Sequence, residues 1–383
     1  MNNRIVFVTS DWKIGGRDKA ILIIIEHLAI QFTDYNFELW VVGVNSKNTF
    51  EKPELRYPKN VHFRKFSSKS TFSLFVLLLK NFHKYPPKLL FFFSNPFIVV
   101  PLFFAKLMQF KNIPHVIVDQ TYFELPVGGM KRLIQRLILS QAYKKSVKEV
   151  ANSKVLQSYV KKTYSLKPEQ SKLIYNPIFS EDKQNSLFPM EYLQFKDKYI
   201  LINVGRFHPQ KDYKTMLEGF QKIAEEISES VLILIGDGPQ KEYILELIDE
   251  LKLTEKVFLL GLKDNPFPYI QHSHLFIFSS NSEGLPGALV EAMGLGVPVV
   301  ATDCPTGPRE LLGNNNEYGI LIPMKDPKAL CHAVISLYKD QSKVCNYIKK
   351  GKERVEMFTE ENTKQEYQKL FSEVLATSDF KGC

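Results

Sequence analysis

Short apolar runs alternate with segments of helical period in two successive series along the chain. The first series opens with a strand-like run at residues 4–9. A loop holding Gly15 and Gly16, a helical pattern over about residues 17–32 and a second strand-like run at 37–44 follow it. This is a βαβ opening with glycines at the strand-to-helix turn. The second series restarts at residues 199–204. It continues with a helix at about 212–227, a strand at 231–235, a helix near 240–251 and strands at 257–260 and 275–278. Strands alternating with helices predict parallel sheets covered on both faces, so the fold class is α/β with two Rossmann-like doubly wound domains.

Between the two series the chain turns polar, is interrupted by Pro177 and Pro189, and loses its period. The expected division is therefore an N-terminal domain at 1–178, a linker at 179–198, a C-terminal domain at 199–362 and a last helix within 363–383. The most apolar stretch, residues 89–105, is shorter than the roughly 20 residues a spanning helix needs. It also contains Asn95, Pro96 and Pro101, so it reads as a strand at 89–93 followed by a turn and a helix.

A chain of 383 residues with 44% apolar content is long enough for two ordinary domains and too apolar for disorder. The first residues run straight into a strand without the basic region, apolar segment and cleavage site of a signal peptide, which points to the cytoplasm. Cys304, Cys331, Cys345 and Cys383 lack a C-x-x-C spacing and suggest neither a disulfide framework nor zinc. The net charge of +9 is uneven. Residues 1–190 carry 28 Lys and Arg against 13 Asp and Glu, while residues 191–383 carry 22 against 28.

An anionic partner for the first half is implied. No nucleic-acid motif is present, and basic residues mix with apolar ones at helical spacing, which suits anionic lipid better than nucleic acid. Over residues 130–150, Leu133, Ile134, Leu137 and Ile138 mark one face, and Lys131, Arg132, Arg136, Lys144, Lys145 and Lys148 supply charge. Such a helix either lies peripherally on a membrane surface or packs on the core with a solvated basic side.

Candidate chemistry concentrates at residues 279–311, SSNSEGLPGALVEAMGLGVPVVATDCPTGPREL. The apolar run 275–278 delivers this segment to the carboxyl edge of a buried sheet. Pro286 and Gly287 suit a helix start, whose outward N–H groups attract anions such as phosphate. Glu283 in the turn and Glu291 on the helix flank that point, and carboxylates beside an anion site suit sugar hydroxyls, which donate hydrogen bonds to them. In the second half's first strand-to-helix loop, GRFHPQKD, Arg206 and Lys211 supply two cations within reach of one diphosphate.

The Glu-Gly-Leu-Pro turn, the Glu-Ala-Met helix, the Gly-Val-Pro-Val-Val strand and the Pro-Arg-Glu-Leu tail together resemble the nucleotide-sugar site of the family 4 retaining glycosyltransferases. The resemblance is strongest over residues 201–312 and weak over 45–110. It implies the GT-B architecture, two Rossmann-like doubly wound parallel-sheet domains facing a central cleft. In that family the last helix often crosses back onto the first domain.

By the resemblance, Arg206, Lys211 and Glu283 are the catalytic group. Glu283 contacts the donor sugar, Glu291 binds the ribose, and the backbone of Gly284, Leu285, Pro286 and Gly287 holds sugar and phosphate oxygens. Gly15 and Gly16 approach the diphosphate from the first domain. The Gly236-Asp237-Gly238-Pro239 turn lies near the nucleotide, and Gly261-Leu262, with Leu262 in the site, near the base. The chain departs from the family after residues 115–118. Where many relatives place a histidine it has Asp119-Gln120-Thr121, so Gln120 replaces that histidine and Asp119 is an acceptor-side candidate. His115 is expected to be structural or surface-exposed.

Breaking the bond between anomeric carbon and diphosphate oxygen leaves negative charge on the leaving group, which needs positive partners. No Asp-x-Asp metal motif occurs anywhere in the chain, so Arg206, Lys211 and the helix start near Gly287 are expected to do that work with no metal and no cofactor. The leading expectation is a retaining transferase moving a sugar from a nucleotide-sugar donor, UDP-linked, to a glycan or lipid-linked acceptor at the inner membrane face. A nucleotide-sugar epimerase of the same fold and a non-enzymatic binder of lipid or nucleic acid are the alternatives.

Overall fold

The structure is a computed structural model that describes residues 3–10, 12, 16–44, 57–68, 76, 80–82, 84–93, 113–120, 130–180 and 187–379. It divides into two compact units. The first comprises Met1–Pro177 and Glu360–Cys383, the second Ile178–Thr359.

The first unit is built on seven parallel strands: β1 (Arg4–Ser10), β2 (Asn36–Val44), β3 (Val61–Ser68), β4 (Leu89–Phe93), β5 (His115–Asp119), β6 (Lys148–Ala151) and β7 (Ser171–Leu173). Their order in the sheet is β3-β2-β1-β4-β5-β6-β7. Strand β4, Leu-Leu-Phe-Phe-Phe, is buried throughout, as a central parallel strand must be when helices cover both faces.

Alternation along the strands separates two cores. Ile5, Phe7, Phe37, Leu39, Phe91, Phe93, Val116 and Val118 face one side, where the helices Gly16–Gln31 and Glu360–Asp379 pack. Val6, Val8, Trp40, Val42, Leu90, Phe92 and Ile117 face the other, against Met130–Lys144 and Lys154–Tyr164. Phe7 and Phe91 stack in parallel with ring centroids 4.6 Å apart.

The last helix completes the first of these cores. Tyr367, Leu370, Phe371, Val374 and Leu375 are all buried in it, with the Phe371 ring 4.7 Å from Phe32 and 5.8 Å from Phe37. The Thr363 hydroxyl donates to the Tyr175 carbonyl oxygen at 3.0 Å and fixes the start of the helix.

The basic segment 130–150 is not one helix. The helix ends at Lys144 and Lys148 opens β6, because Lys-Glu-Val-Ala is claimed by the ladders to β5 and β7. Leu139, Ala142 and Tyr143 form the buried side of the helix while Leu137 is exposed, and the side chains of 130–136 lie outside the described residues. The turn and helix expected after residue 93 also lie outside them.

In the second unit six parallel strands follow the same logic: β8 (Tyr199–Val204), β9 (Ser230–Ile235), β10 (Val257–Gly261), β11 (Leu275–Phe278), β12 (Val299–Thr302) and β13 (Ile320–Ile322). Their order is β10-β9-β8-β11-β12-β13. The order reverses direction at β8, between β9 and β11, and ligands of doubly wound sheets bind outside the carboxyl ends of the strands at such a point.

The unit begins earlier than the expected linker allows. Phe179 pairs with Thr359 in a single bridge, and residues 181–186 lie outside the described residues. Met190–Phe195 form a 3-10 turn seated on the unit through Tyr192 and Phe195. The Tyr192 hydroxyl lies 3.2 Å from Ser273 Oγ, and Lys263 Nζ is 2.9 Å from Glu191 Oε1. Two aromatic anchors among polar residues are enough to hold an aperiodic segment in place.

Candidate active site

Strand β8 is followed by Gly205 and Arg206, and the chain then makes a 3-10 turn over Pro209–Lys211 before the helix Tyr213–Glu226. Asp212 makes the corner. Its backbone is left-handed at φ 49°, and its carboxylate caps the helix by accepting from the Thr215 amide at 3.3 Å and the Thr215 hydroxyl at 2.8 Å. An aspartate tolerates this conformation because its short polar side chain bonds locally. Lys211 is thereby held at the lip of the sheet.

The neighbouring strand β11 brings Glu283 to the same lip. Lys211 Nζ donates to Glu283 Oε1 at 2.7 Å across 72 residues of sequence, with the side chains 20% and 12% exposed, and the ammonium sits 4.9 Å over the Phe278 ring. Four further hydrogen bonds join the two loops. The Ser279 hydroxyl donates to the carbonyl oxygens of Lys211 at 2.7 Å and Asp212 at 3.0 Å. The Asn281 amide donates to the Gln210 carbonyl oxygen at 2.8 Å, and the Gln210 side-chain amide donates to that of Ser282.

Arg206, at the other end of the loop, is exposed and makes no hydrogen bond or ion pair with the described residues. The loop thus presents one cation already engaged by a carboxylate and one turned to solvent.

After the turn comes the helix Gly287–Gly294, preceded by Pro286 with no side-chain cap on its first amides. Those amides are the outward-pointing donors on which an anion can rest. Glu291 lies half-buried on the second turn of this helix and Leu285 is half-buried, while Pro286 is buried. Gly284 is exposed, and a Cβ added there would meet nothing within 4 Å, so another molecule can approach its backbone.

Gly236 and Gly238 serve packing within the unit. A Cβ at Gly236 would overlap the Gly205 carbonyl oxygen, and one at Gly238 that of Phe207, so the β9 turn lies directly against the β8 turn. Leu262, 75% exposed, stands beyond Gly261 at the end of β10.

The first-domain candidates belong to the first unit. Gly15 lies outside the described residues, and Gly16 is the first residue of the helix Gly16–Gln31. Asp119 ends β5, is buried, and accepts from the Tyr143 hydroxyl at 2.7 Å. Gln120 is buried beside it, with its backbone carbonyl oxygen accepting from Asn152 Nδ2 at 3.1 Å and no hydrogen bond to its side-chain amide among the described residues. His115 is buried rather than at the surface, its Nε2 3.0 Å from the Ala142 carbonyl oxygen.

Glu149 on β6 escaped the sequence reading. It is fully buried, and burial, with the nearby Asp119 carboxylate adding to it, pushes its carboxyl up to about 8. A single acid inside an apolar strand, Lys-Glu-Val-Ala, was the available signal.

The loop 303–307 after β12, inside the segment 279–311 but given no role by the sequence, touches the Glu283 turn. The Thr306 hydroxyl donates to the Glu283 carbonyl oxygen, and Gly307, at φ 87°, lies so close that a Cβ would overlap the Gly284 carbonyl oxygen. Among the described residues no helix is long and apolar enough to cross a membrane.

Comparison with known proteins accords with this geometry. Residues 188–354 match the family described as glycosyl transferases group 1. Over 200 residues the chain is 37% identical to an uncharacterized glycosyltransferase of Methanocaldococcus jannaschii, a match spanning 49% of this chain and 48% of that protein. It is 26% identical over 357 residues to a Campylobacter jejuni N-acetylgalactosaminyltransferase named for a diphospho-undecaprenol-linked saccharide, covering 90% of this chain and 92% of that one.

Among solved structures, Anabaena HepE in complex with UDP superposes with a TM-score of 0.75 at 18% identity, over 97% of this chain and all of that one, 100%. The lipopolysaccharide outer core galactosyltransferase WaaB gives 0.71 at 19% identity over 97% of this chain and 99% of that one. Both are similar in fold, which is GT-B.

Proposed function

With residues 188–354 a glycosyl transferases group 1 domain, we propose that this glycosyltransferase is a retaining, metal-independent enzyme. In this reading it moves a hexosyl or N-acetylhexosaminyl group from a UDP-sugar to a glycan or lipid-linked acceptor in cell-surface polysaccharide or lipopolysaccharide assembly. The observation that carries the reading is the junction of the β8 and β11 loops. There Lys211 and Glu283 meet at the lip of the sheet, where the uncapped helix Gly287–Gly294 also begins.

A nucleotide diphosphate sugar asks for these groups. Its phosphates suit the amides of Gly287 and Ala288 together with Lys211 and Arg206. Its sugar hydroxyls suit the Glu283 carboxylate, and its ribose suits Glu291. As the glycosidic bond lengthens, charge grows on the departing phosphate oxygen, and fixed cations that strengthen their hold at that moment lower the barrier. Front-face attack with the leaving diphosphate taking the acceptor proton gives retention and needs no pair of facing acids.

A lipid-linked acceptor is supported by the Campylobacter relative, whose name specifies an undecaprenol-linked saccharide, and the UDP donor by the UDP complex of HepE. The exposed Leu137, Lys144 and Lys145 on and beside the helix Met130–Lys144 support peripheral contact with an anionic membrane at its inner face.

The test is a thermal-shift screen of UDP-, GDP- and ADP-sugars in EDTA, followed by product analysis with and without an undecaprenyl-diphosphate-linked saccharide. Transfer with retained configuration, in EDTA, is the expected result. Sugar isomerisation without acceptor identifies an epimerase instead, and no nucleotide-sugar binding refutes the reading.

A further inference from the structure

We propose that Thr306 and Gly307 are positioning residues for Glu283, setting where its carboxylate meets the donor sugar; the proposal rests on the donor-site reading above. The turn 279–284 carries Glu283 away from β11 and is gripped on two sides. On one side the 210–212 loop takes hold of it through Ser279, Asn281 and Ser282. On the other side, the end of β12 and the loop after it engage three of the turn's carbonyl groups. Thr302 Oγ1 donates to the Ser280 carbonyl oxygen at 2.6 Å, Thr306 Oγ1 donates to that of Glu283, and Gly307 closes against that of Gly284.

Of these contacts, the last two act on the peptide groups that flank Gly284, the first of them Glu283's own carbonyl. Gly284 has open space where a side chain would be, so no described residue packs on that part of the turn. The Glu283 side chain itself is tied to Lys211, a group the diphosphate must share. Its backbone therefore relies on Thr306 and Gly307 to stay in register when a donor arrives.

The geometry also explains the two residue types. A hydroxyl is the shortest side chain that reaches a neighbouring carbonyl while leaving the loop's own backbone free. At Gly307 any Cβ would displace the Gly284 carbonyl, and the φ of 87° is one that side chains rarely adopt. A shift of about 1 Å at a group that orients substrate costs on the order of 100-fold in rate.

The experiment compares Thr306→Val, Thr306→Ser, Gly307→Ala and Glu283→Gln in the full chain. For each, Kd is measured by calorimetry for UDP, for UDP-glucose and for UDP-N-acetylgalactosamine, together with the rate of UDP release as water takes the glycosyl group of either donor to give free sugar. Free UDP lacks the sugar that Glu283 addresses, so it separates positioning from a general structural role.

Thr306→Val and Gly307→Ala are expected to hold UDP within about two-fold of wild type while UDP release slows by about 10- to 100-fold. Thr306→Ser, which keeps the hydroxyl, is expected to restore the rate to within about three-fold. The proposal is overturned if Thr306→Val releases UDP at the wild-type rate, or if it loses UDP affinity in step with rate. Impairment of Glu283→Gln with a normal Thr306→Val overturns the positioning role alone. Normal rates in both variants overturn the donor-site reading as well.

Discussion

Replacing Lys211 by alanine tests the proposed diphosphate role and separates it from simple ion pairing. In the wild type its ammonium is 2.7 Å from Glu283 Oε1, and the two side chains are 20% and 12% exposed. Alanine leaves a largely desolvated carboxylate without its cation and removes a contact over the Phe278 ring. A lost hydrogen bond between charged groups costs about 1.5–3 kcal/mol, so the second unit should lose stability of that size.

Arg206→Ala makes the contrast. Arg206 is exposed and has no partner among the described residues, so its removal should change stability by less than about 0.5 kcal/mol. Both variants should nevertheless lower turnover at least ten-fold, about 1.4 kcal/mol of transition-state stabilisation, because the proposed function sets both cations against the leaving diphosphate. Urea denaturation of each variant gives the first quantity and transfer kinetics at saturating donor the second. Near-normal turnover in both variants would refute the diphosphate role. A destabilised Arg206→Ala would refute the division between an engaged cation and a free one.

Phe371→Ala should cost the first unit about 3–5 kcal/mol, since the ring is fully buried against Phe32, Tyr35 and Phe37. Urea titration should show that loss in the first unit's transition. Because burial, with the Asp119 carboxylate beside it, raises the Glu149 carboxyl to about 8 from an unfolded value near 4.5, the folded first unit holds a proton that the unfolded chain gives up. Its stabilising effect is complete below about pH 4.5, falls as pH rises, and is gone above about 8. Glu149→Gln should flatten that part of the pH-stability curve, and an unchanged slope would contradict it. Gly236→Ala should destabilise the second unit measurably, because the new Cβ has to push the Gly205 carbonyl aside. Binding to anionic liposomes should weaken with salt and with Lys144→Gln plus Lys145→Gln, whereas equal binding to neutral liposomes would count against membrane contact.

The second unit was the more legible half of the sequence. Its strands are short apolar runs closed by glycine or polar turns, and the strand 275–278 agrees with β11 residue for residue. Lys211 and Glu283 were legible as neighbours because each lies in the loop after a strand, and parallel strands deliver their trailing loops to one edge.

What escaped were features set by tertiary contact. Nothing in the period of residues 130–150 says that Lys148 leaves the helix, since the claim on it comes from β5 and β7. The seating of residues 190–195 depends on Tyr192 and Phe195, two aromatics in an aperiodic run. Thr306 reads as an ordinary loop residue until its partner, 23 positions earlier, is known.

The membership of the helix Glu360–Asp379 in the first unit has a consequence for synthesis. The core of the first unit lacks Tyr367, Leu370, Phe371, Val374 and Leu375 until the ribosome has made all of residues 178–359. At about 5–20 residues per second that interval lasts roughly 10–40 s. Throughout it, the groove that will receive Phe371, lined by Phe32, Phe37 and Phe91, lacks the cover that the last helix gives it. The second unit is continuous in sequence and can fold as soon as it emerges. The half translated first is thus the half completed last, and its exposed aromatic groove is the place where a chaperone would engage the nascent chain.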